Sequence, residues 1–406
     1  MLSIKKLSIN RSFIKTEELL YAMYHFPLAI TSPFISLYYF DLSGGSFWGS
    51  GLIIAIPYLF LIFSSGFFGK LSDKIGSKNL VLVSLSFLML SFLSYYVIDE
   101  NHLLFFLAYI GFNIMISAFI PAFNRVVSFQ EAKKRANTFG KLGMWASAGF
   151  LCGSLLTAGI IDYLEFRVLF LLAAAFAFVT FLVALRLNDN YSPTNNITDQ
   201  TTSSNLNMIK NEKKFNFLKP IMILLLIVLF TNVTNSLYFG FFAIFVEKEL
   251  GLERSSIALV NTLATLIGVF TTYAVGRLAE RYRKKNLILI ALAFYFLLPF
   301  CTFLLSNSIN SLNSHLILLL YSIPLYSVLF VIVPVFIAEN TPESRRGQAM
   351  GLYTSSQYLG MTLGTVAGAY LATINGIIRP NFFASSIIAI FSILIGIFLF
   401  KESDNE

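Results

Sequence analysis

The chain has 406 residues, of which 56% are hydrophobic and only 12% charged, with 29 basic and 21 acidic side chains. A soluble globular domain carries about 25% charged residues, so this composition excludes a soluble protein built around a large core and points to a chain embedded in a bilayer. The formal charge of +8 does not indicate a nucleic-acid partner, because the basic residues are confined to alternate loops, the pattern that membrane insertion imposes.

In chain order, Lys5, Lys6, Arg11 and Lys15 precede the first apolar run. That run is too long for the apolar region of a signal peptide and lacks a small-residue cleavage site, so it is expected to be an uncleaved first span. A spanning helix needs about 20 mostly apolar residues. Twelve segments meet this requirement: 17–40, 46–69, 79–98, 102–127, 137–161, 166–187, 218–246, 255–276, 286–306, 313–338, 347–373 and 381–400. They are long continuous runs rather than ten-residue alternations, which predicts helices and not a barrel. Between the sixth and seventh lies a polar stretch, 188–217, expected to be a cytoplasmic linker between two six-helix halves, 1–187 and 218–406. Asn196-Ile197-Thr198 in this stretch matches a glycosylation acceptor but falls on the side read as cytoplasmic. Of all the basic residues, only Arg167, Lys248, Arg254 and Arg379 lie in the opposite set of loops. Both termini are therefore expected on the cytoplasmic face of the plasma membrane. Cys152 and Cys301 sit inside apolar segments, so no disulfide framework is indicated.

Two loops carry the same punctuation half a chain apart. Residues 66–80 read GFFGKLSDKIGSKNL and residues 276–287 read GRLAERYRKKNL. Gly69, Leu71, Asp73, Lys74, Lys78, Asn79 and Leu80 match Gly276, Leu278, Glu280, Arg281, Lys285, Asn286 and Leu287, each 207 positions on. A second echo pairs Lys134, Arg135, Gly140, Gly149 and Gly153 with Arg345, Arg346, Gly351, Gly360 and Gly364, each 211 positions on. The chain therefore reads as a duplicated membrane protein. The two G-x-x-x-G pairs, in the fifth and eleventh segments, predict close backbone approach to neighbouring helices.

The first loop resembles the signature between the second and third helices of the major facilitator superfamily, roughly G-x-L-a-D-[RK]-x-G-[RK]-[RK], supplied here by Gly69, Leu71, Asp73, Lys74, Gly76 and Lys78. Ser77 departs from it, as does Arg283, which stands where the second copy should have glycine. The resemblance implies an all-α fold of twelve transmembrane helices in two pseudo-symmetric six-helix bundles. It further implies a secondary transporter, most often a monomer, that moves a small solute by alternating access. It also implies that Asp73 steadies one state against the eleventh helix. The residues themselves suggest a cytoplasmic latch of Gly69, Asp73, Lys74, Gly76, Lys78 and Arg125, with Gly276, Glu280 and Arg281 as its echo and Glu339 pairing with Arg277 or Lys284. Interactions of this kind contribute about 0.3–1 kcal/mol each, enough to bias two states without freezing one. The alternative is that these charges only set topology.

Ionisable groups deep in spans are functional candidates. His25 is the one well inside the first span, with Tyr21 on the same face. It is read either as a proton-coupling or substrate-binding group or as a neutral histidine bonded to a neighbouring helix. Uncharged candidates are Asn113 in the fourth span, Asn232, Asn235 and Tyr238 in the seventh, Asn261 and Thr265 in the eighth, Tyr321 and Tyr326 in the tenth, and Tyr353 and Gln357 in the eleventh. In the family, spans 1, 4, 7 and 10 chiefly line the cavity. Such groups suit a neutral or amphipathic solute, drug-like or metabolic, although interhelical hydrogen bonding is the rival role. Pro27, Pro33, Pro57, Pro121, Pro299, Pro324 and Pro334 are expected to kink their helices.

Drug–proton antiporters of the family carry an arginine near the position of Tyr109 and a proline in the run that here reads Gly149 to Ser154. Both are absent, as is the acidic pair of sugar–proton symporters, so proton coupling and facilitated diffusion both stand. No phosphate-binding loop indicates a primary pump. Three scattered histidines, His25, His102 and His315, supply neither a catalytic cluster nor a metal site. The chain is expected not to be an enzyme and to need no metal or cofactor. A non-transporting receptor on the same fold is the third class.

Overall fold

The computed structural model describes residues 16–98, 100–128, 132–187, 218–324, 326–341 and 346–400. The 188–217 linker and the glycosylation match lie outside the described residues. The chain forms a twelve-span helical bundle, and no strand occurs among the described residues. Eight described helices are long and apolar enough to cross a bilayer unaided. Among the described residues, Phe47–Phe63, Ser311–Tyr321 and Val328–Ile337 are shorter apolar stretches.

The second, third, fifth, sixth, eighth, ninth, eleventh and twelfth spans are continuous: Phe47–Ile75, Ser77–Val97, Ala132–Ile160, Phe166–Ala184, Arg254–Arg281, Lys284–Leu305, Arg346–Asn375 and Arg379–Phe398. The other four are not. The first passes from Thr16–Thr31 through a 3-10 turn, Ser32–Phe34, to Ile35–Leu42. The fourth breaks between His102–Ile116 and Phe119–Ser128, the seventh between Leu218–Phe239 and Phe242–Ile244, and the tenth between Ser311–Tyr321 and Tyr326–Glu339. The sequence-based expectation of kinks at prolines holds for Pro33 and Pro324, which sit at breaks. Pro57 and Pro299 stay inside continuous helices.

Backbone groups freed by proline or by a break must find partners inside the protein, because the bilayer core offers none. Pro27 has no N–H to donate to the Met23 carbonyl, and the Thr180 hydroxyl of the sixth span, 3.1 Å from it and 2.8 Å from Phe176 O, shares its one proton between the two. Ser84 Oγ donates to Ile116 O at 3.0 Å, beside the break in the fourth span. Tyr321 Oη donates to Tyr238 O at 2.9 Å, beside the break in the seventh. The seventh span closes with a π-helical turn, Phe245–Glu249, in which Leu250 N–H donates to Phe245 O at 3.0 Å.

Packing repeats between the halves. Spans 1 and 5, 1 and 6, and 3 and 6 touch, as do their counterparts 7 and 11, 7 and 12, and 9 and 12. The four glycines of the two G-x-x-x-G pairs make close backbone contacts here. A Cβ on Gly149 or Gly153 would run into the carbonyls of Ala22 and Phe26, and one on Gly360 or Gly364 into those of Leu229 and Val233. The first-span carbonyls are 207 positions from their seventh-span counterparts, the offset of the first echo. Between the halves, span 2 packs on span 11 and span 5 on span 8. These two contacts exchange under the same pseudo-symmetry.

The two repeated loops differ in their turns. Gly76 has φ 87°, which L-residues with a side chain avoid, and its N–H donates to Ser72 O at 3.1 Å. The equivalent Arg283 has φ −58° and caps the ninth span, so the second copy needs no glycine there.

Candidate functional site

Where the two halves face each other near mid-span, they line a cavity with two lobes. One, of about 370 Å³, is bounded by His25, Ala146, Ser147 and Phe150 of the first half and Ala264, Thr265 and Pro324 of the second. The other, of about 260 Å³, lies farther from the termini, among Ser32, Ser36, Tyr58, Tyr109, Ser236 and Thr365. Asn235, Phe239 and Asn261 border both lobes and form the waist between them. The breaks place these groups: Pro33 and Gly240, 207 positions apart, both line the second lobe. Among the described lining residues there is no carboxylate, lysine or arginine.

His25 Nδ1 lies 2.8 Å from Tyr21 O. A carbonyl only accepts, so Nδ1 carries the proton and Nε2 is left to accept another. The ring lies 4.7 Å from that of Tyr21 and 5.1 Å from that of Tyr24. Tyr21 stacks on Phe123 and lines neither lobe.

The remaining candidates are distributed otherwise than expected. Tyr238 is a correction: it is fully buried, its hydroxyl is 2.9 Å from Thr302 Oγ1, and its ring stacks on Tyr321 at 4.2 Å, inside the second half. Asn232 donates to Val228 O at 2.8 Å and packs against Gly360 rather than lining either lobe. Asn113 donates to Tyr109 O at 2.8 Å and lines a separate cavity of about 30 Å³ within the first half. Gln357 donates to Tyr353 Oη at 2.9 Å, outside the lining of both lobes. The Tyr326 side chain lies outside the described residues.

Of the latch, Gly69 and the side chains of Asp73, Arg125 and Glu280 lie outside the described residues. Lys74 and Arg281 are exposed, and Lys78 is half-buried. Among the described residues, a Cβ at Gly276 would meet nothing within 4 Å. Glu339 Oε2 lies 2.7 Å from Lys284 Nζ.

The far end, away from the termini, carries a cluster that sequence reasoning missed. Asp41, closing the first span, meets Lys248 Nζ at 2.7 Å and Arg254 Nη2 at 3.3 Å, both from the other half. Glu247 holds the same two cations, with Arg254 Nε at 2.7 Å and Lys248 Nζ at 3.0 Å. Ser255 N–H, at the start of the eighth span, donates to Asp162 Oδ1 at 3.1 Å across the same seam. Gly51 fits against Ala369, whose Cβ one on Gly51 would overlap, and close to the Thr365 carbonyl. Exposed ion pairs contribute about 0–1 kcal/mol each, so the seam is closed by several weak ties backed by packing. The available signal was that Lys248 and Arg254 are two of the few basic residues on the charge-poor side.

Among the described residues no group of three or more His, Cys, Asp or Glu is placed to hold a metal. The family model described as Major Facilitator Superfamily matches residues 19–365 and 325–406. The chain is 22% identical over 394 residues to the multidrug resistance protein MdtG of Proteus mirabilis, covering 93% of each. It is 25% identical over 358 residues to the MFS-type transporter YuxJ of Bacillus subtilis, covering 84% of this chain and 86% of that one. Among solved structures, a D-xylose-proton symporter superposes with TM-score 0.77 at 14% identity, over 95% of this chain and 96% of that one. The nucleoside transporter NupG superposes with TM-score 0.74 at 13% identity, over 95% and 100%.

Proposed function

The chain belongs to the major facilitator superfamily, and from that premise we propose that it moves a neutral or amphipathic small solute across the cytoplasmic membrane by alternating access. As a member of that family it is a multi-span membrane transporter of a small solute and not an enzyme. The observation that carries the finer reading is the two-lobed cavity, walled by both halves and uncharged over its described lining, with the Asp41 cluster tying the halves together at the far end. A site walled by both halves changes access when they rock. Uncharged amides, hydroxyls and rings favour a solute bound by hydrogen bonds and ring contacts over one bound as an ion pair. The excess of basic residues in one set of loops supports cytoplasmic termini. With that orientation the Asp41 seam faces outward.

His25 is proposed as the coupling group if transport uses protons, because its open Nε2 is the titratable imidazole atom of the cavity. The test is solute flux into proteoliposomes over a panel of drugs, sugars and organic acids, with and without a pH gradient. His25→Ala is expected to flatten any pH dependence of that flux while leaving the protein monodisperse; an undiminished pH response would make His25 structural. Asp73→Asn is expected to slow flux severalfold at normal expression, as a latch carboxylate biasing two states by about 1 kcal/mol would. Unchanged flux would remove the latch.

A further inference from the structure

Three amides of the spans, Asn113, Asn232 and Asn261, each donate Nδ2 to the carbonyl four residues back, at 2.8 Å in every case. Asn235 does not. Its Oδ1 is buried without a donor, and no hydrogen bond of its Nδ2 is found among the described residues. An unpaired buried acceptor is costly and rare enough to require a reason. Asn235 sits at the waist that both lobes share, with Phe239 and Asn261. One N–H of Asn261 Nδ2 goes to Ile257 O, which fixes the orientation of that amide, and its Oδ1 has no donor among the described residues.

We infer that Asn235 is the specificity-determining polar contact of the cavity. With Asn261 it selects a neutral solute whose amide or hydroxyl group donates and accepts at the same point, beside an apolar body that packs on Phe239. This rests on the cavity being the solute site, as proposed above. The waist offers one complete amide, able to turn either edge to the ligand, and a second amide of fixed orientation whose Oδ1 accepts. A group that both donates and accepts satisfies Asn235 and gives Asn261 Oδ1 its donor. A quaternary ammonium ion supplies neither, and no described carboxylate of the lining offsets its desolvation. A site built to hydrogen-bond a group discriminates sharply against the analogue that lacks it.

The test uses the full-length protein in detergent and three probes: N-benzylacetamide, N-benzyl-N-methylacetamide and benzyltrimethylammonium. Binding is followed by calorimetry. The secondary amide is expected to bind about tenfold tighter than its N-methyl form, the scale of one buried hydrogen bond left unmade, with the quaternary ion weakest. Asn235→Leu is expected to abolish the difference while still binding the N-methyl form, which also shows that the variant is folded. Equal affinities in the unmodified protein, a preference that survives in Asn235→Leu, tightest binding of the quaternary ion, or no binding of the secondary amide would each overturn the inference. Ala264→Trp, which fills the same cavity, separates the two levels. If it abolishes binding of probes that show no donor preference, the cavity stands and the role of Asn235 falls. If all probes bind it unchanged, the cavity itself is not the solute site.

Discussion

Replacing Gly149 or Gly360 with valine is expected to leave little folded protein. At each position the obstacle to a Cβ is a backbone carbonyl of the neighbouring span, Ala22 in one half and Leu229 in the other. A backbone cannot swing aside as the tip of a long side chain does. Overpacking in a tight core costs about 1–3 kcal/mol when side chains can adjust, so about 3 kcal/mol or more is expected here for each substitution. The measure is monodisperse yield and thermal unfolding in detergent. Gly143→Ala and Gly351→Ala provide controls on the same two helices, since nothing lies within 4 Å of either position; both should stay within about 0.5 kcal/mol of the parent. A parent-like melting temperature for Gly149→Val would refute the backbone contact between the first and fifth spans.

Locking the far end should stop transport. Asp41 and Lys248 bring side-chain atoms of the two halves to 2.7 Å. In a background with Cys152 and Cys301 replaced, Asp41→Cys and Lys248→Cys bridged by a short bis-thiosulfonate are expected to reduce flux at least about tenfold, because one half must leave the other here for the cavity to open to that side. Reductant should restore it. Full flux with the bridge demonstrably formed would mean that the cycle never parts this seam.

Much of this architecture is legible in the residues. The twelve spans follow from apolar length, and the close 1–5 and 7–11 contacts follow from the spacing of Gly149, Gly153, Gly360 and Gly364. Tyr238 shows where such reading fails. A step of three residues advances a helix by about 300°. Asn232, Asn235 and Tyr238 therefore drift round the helix instead of sharing a face, with Asn232 and Tyr238 to either side of Asn235. One flank goes to Gly360 of the eleventh span, the other to Thr302 of the ninth, and Asn235 alone of the three reaches the cavity. The breaks in spans 1, 4, 7 and 10 were only partly visible, because proline marks both the broken helices and some continuous ones.

The residue order by itself determined that the chain is a membrane protein, how many times it crosses and that it is built from two related halves. Insertion and repetition are properties of runs along the chain, and hydropathy, charge and spacing record them directly. Only the tertiary structure decided that Asn235, Asn261 and His25 share one cavity, that Tyr238 does not line it, and that Asp41 ties the two halves together through Lys248 and Arg254. Those outcomes depend on how each helix is rotated about its axis and where it breaks. Both are set by contacts between segments more than two hundred residues apart, such as Asp41 with Arg254, which no local pattern encodes.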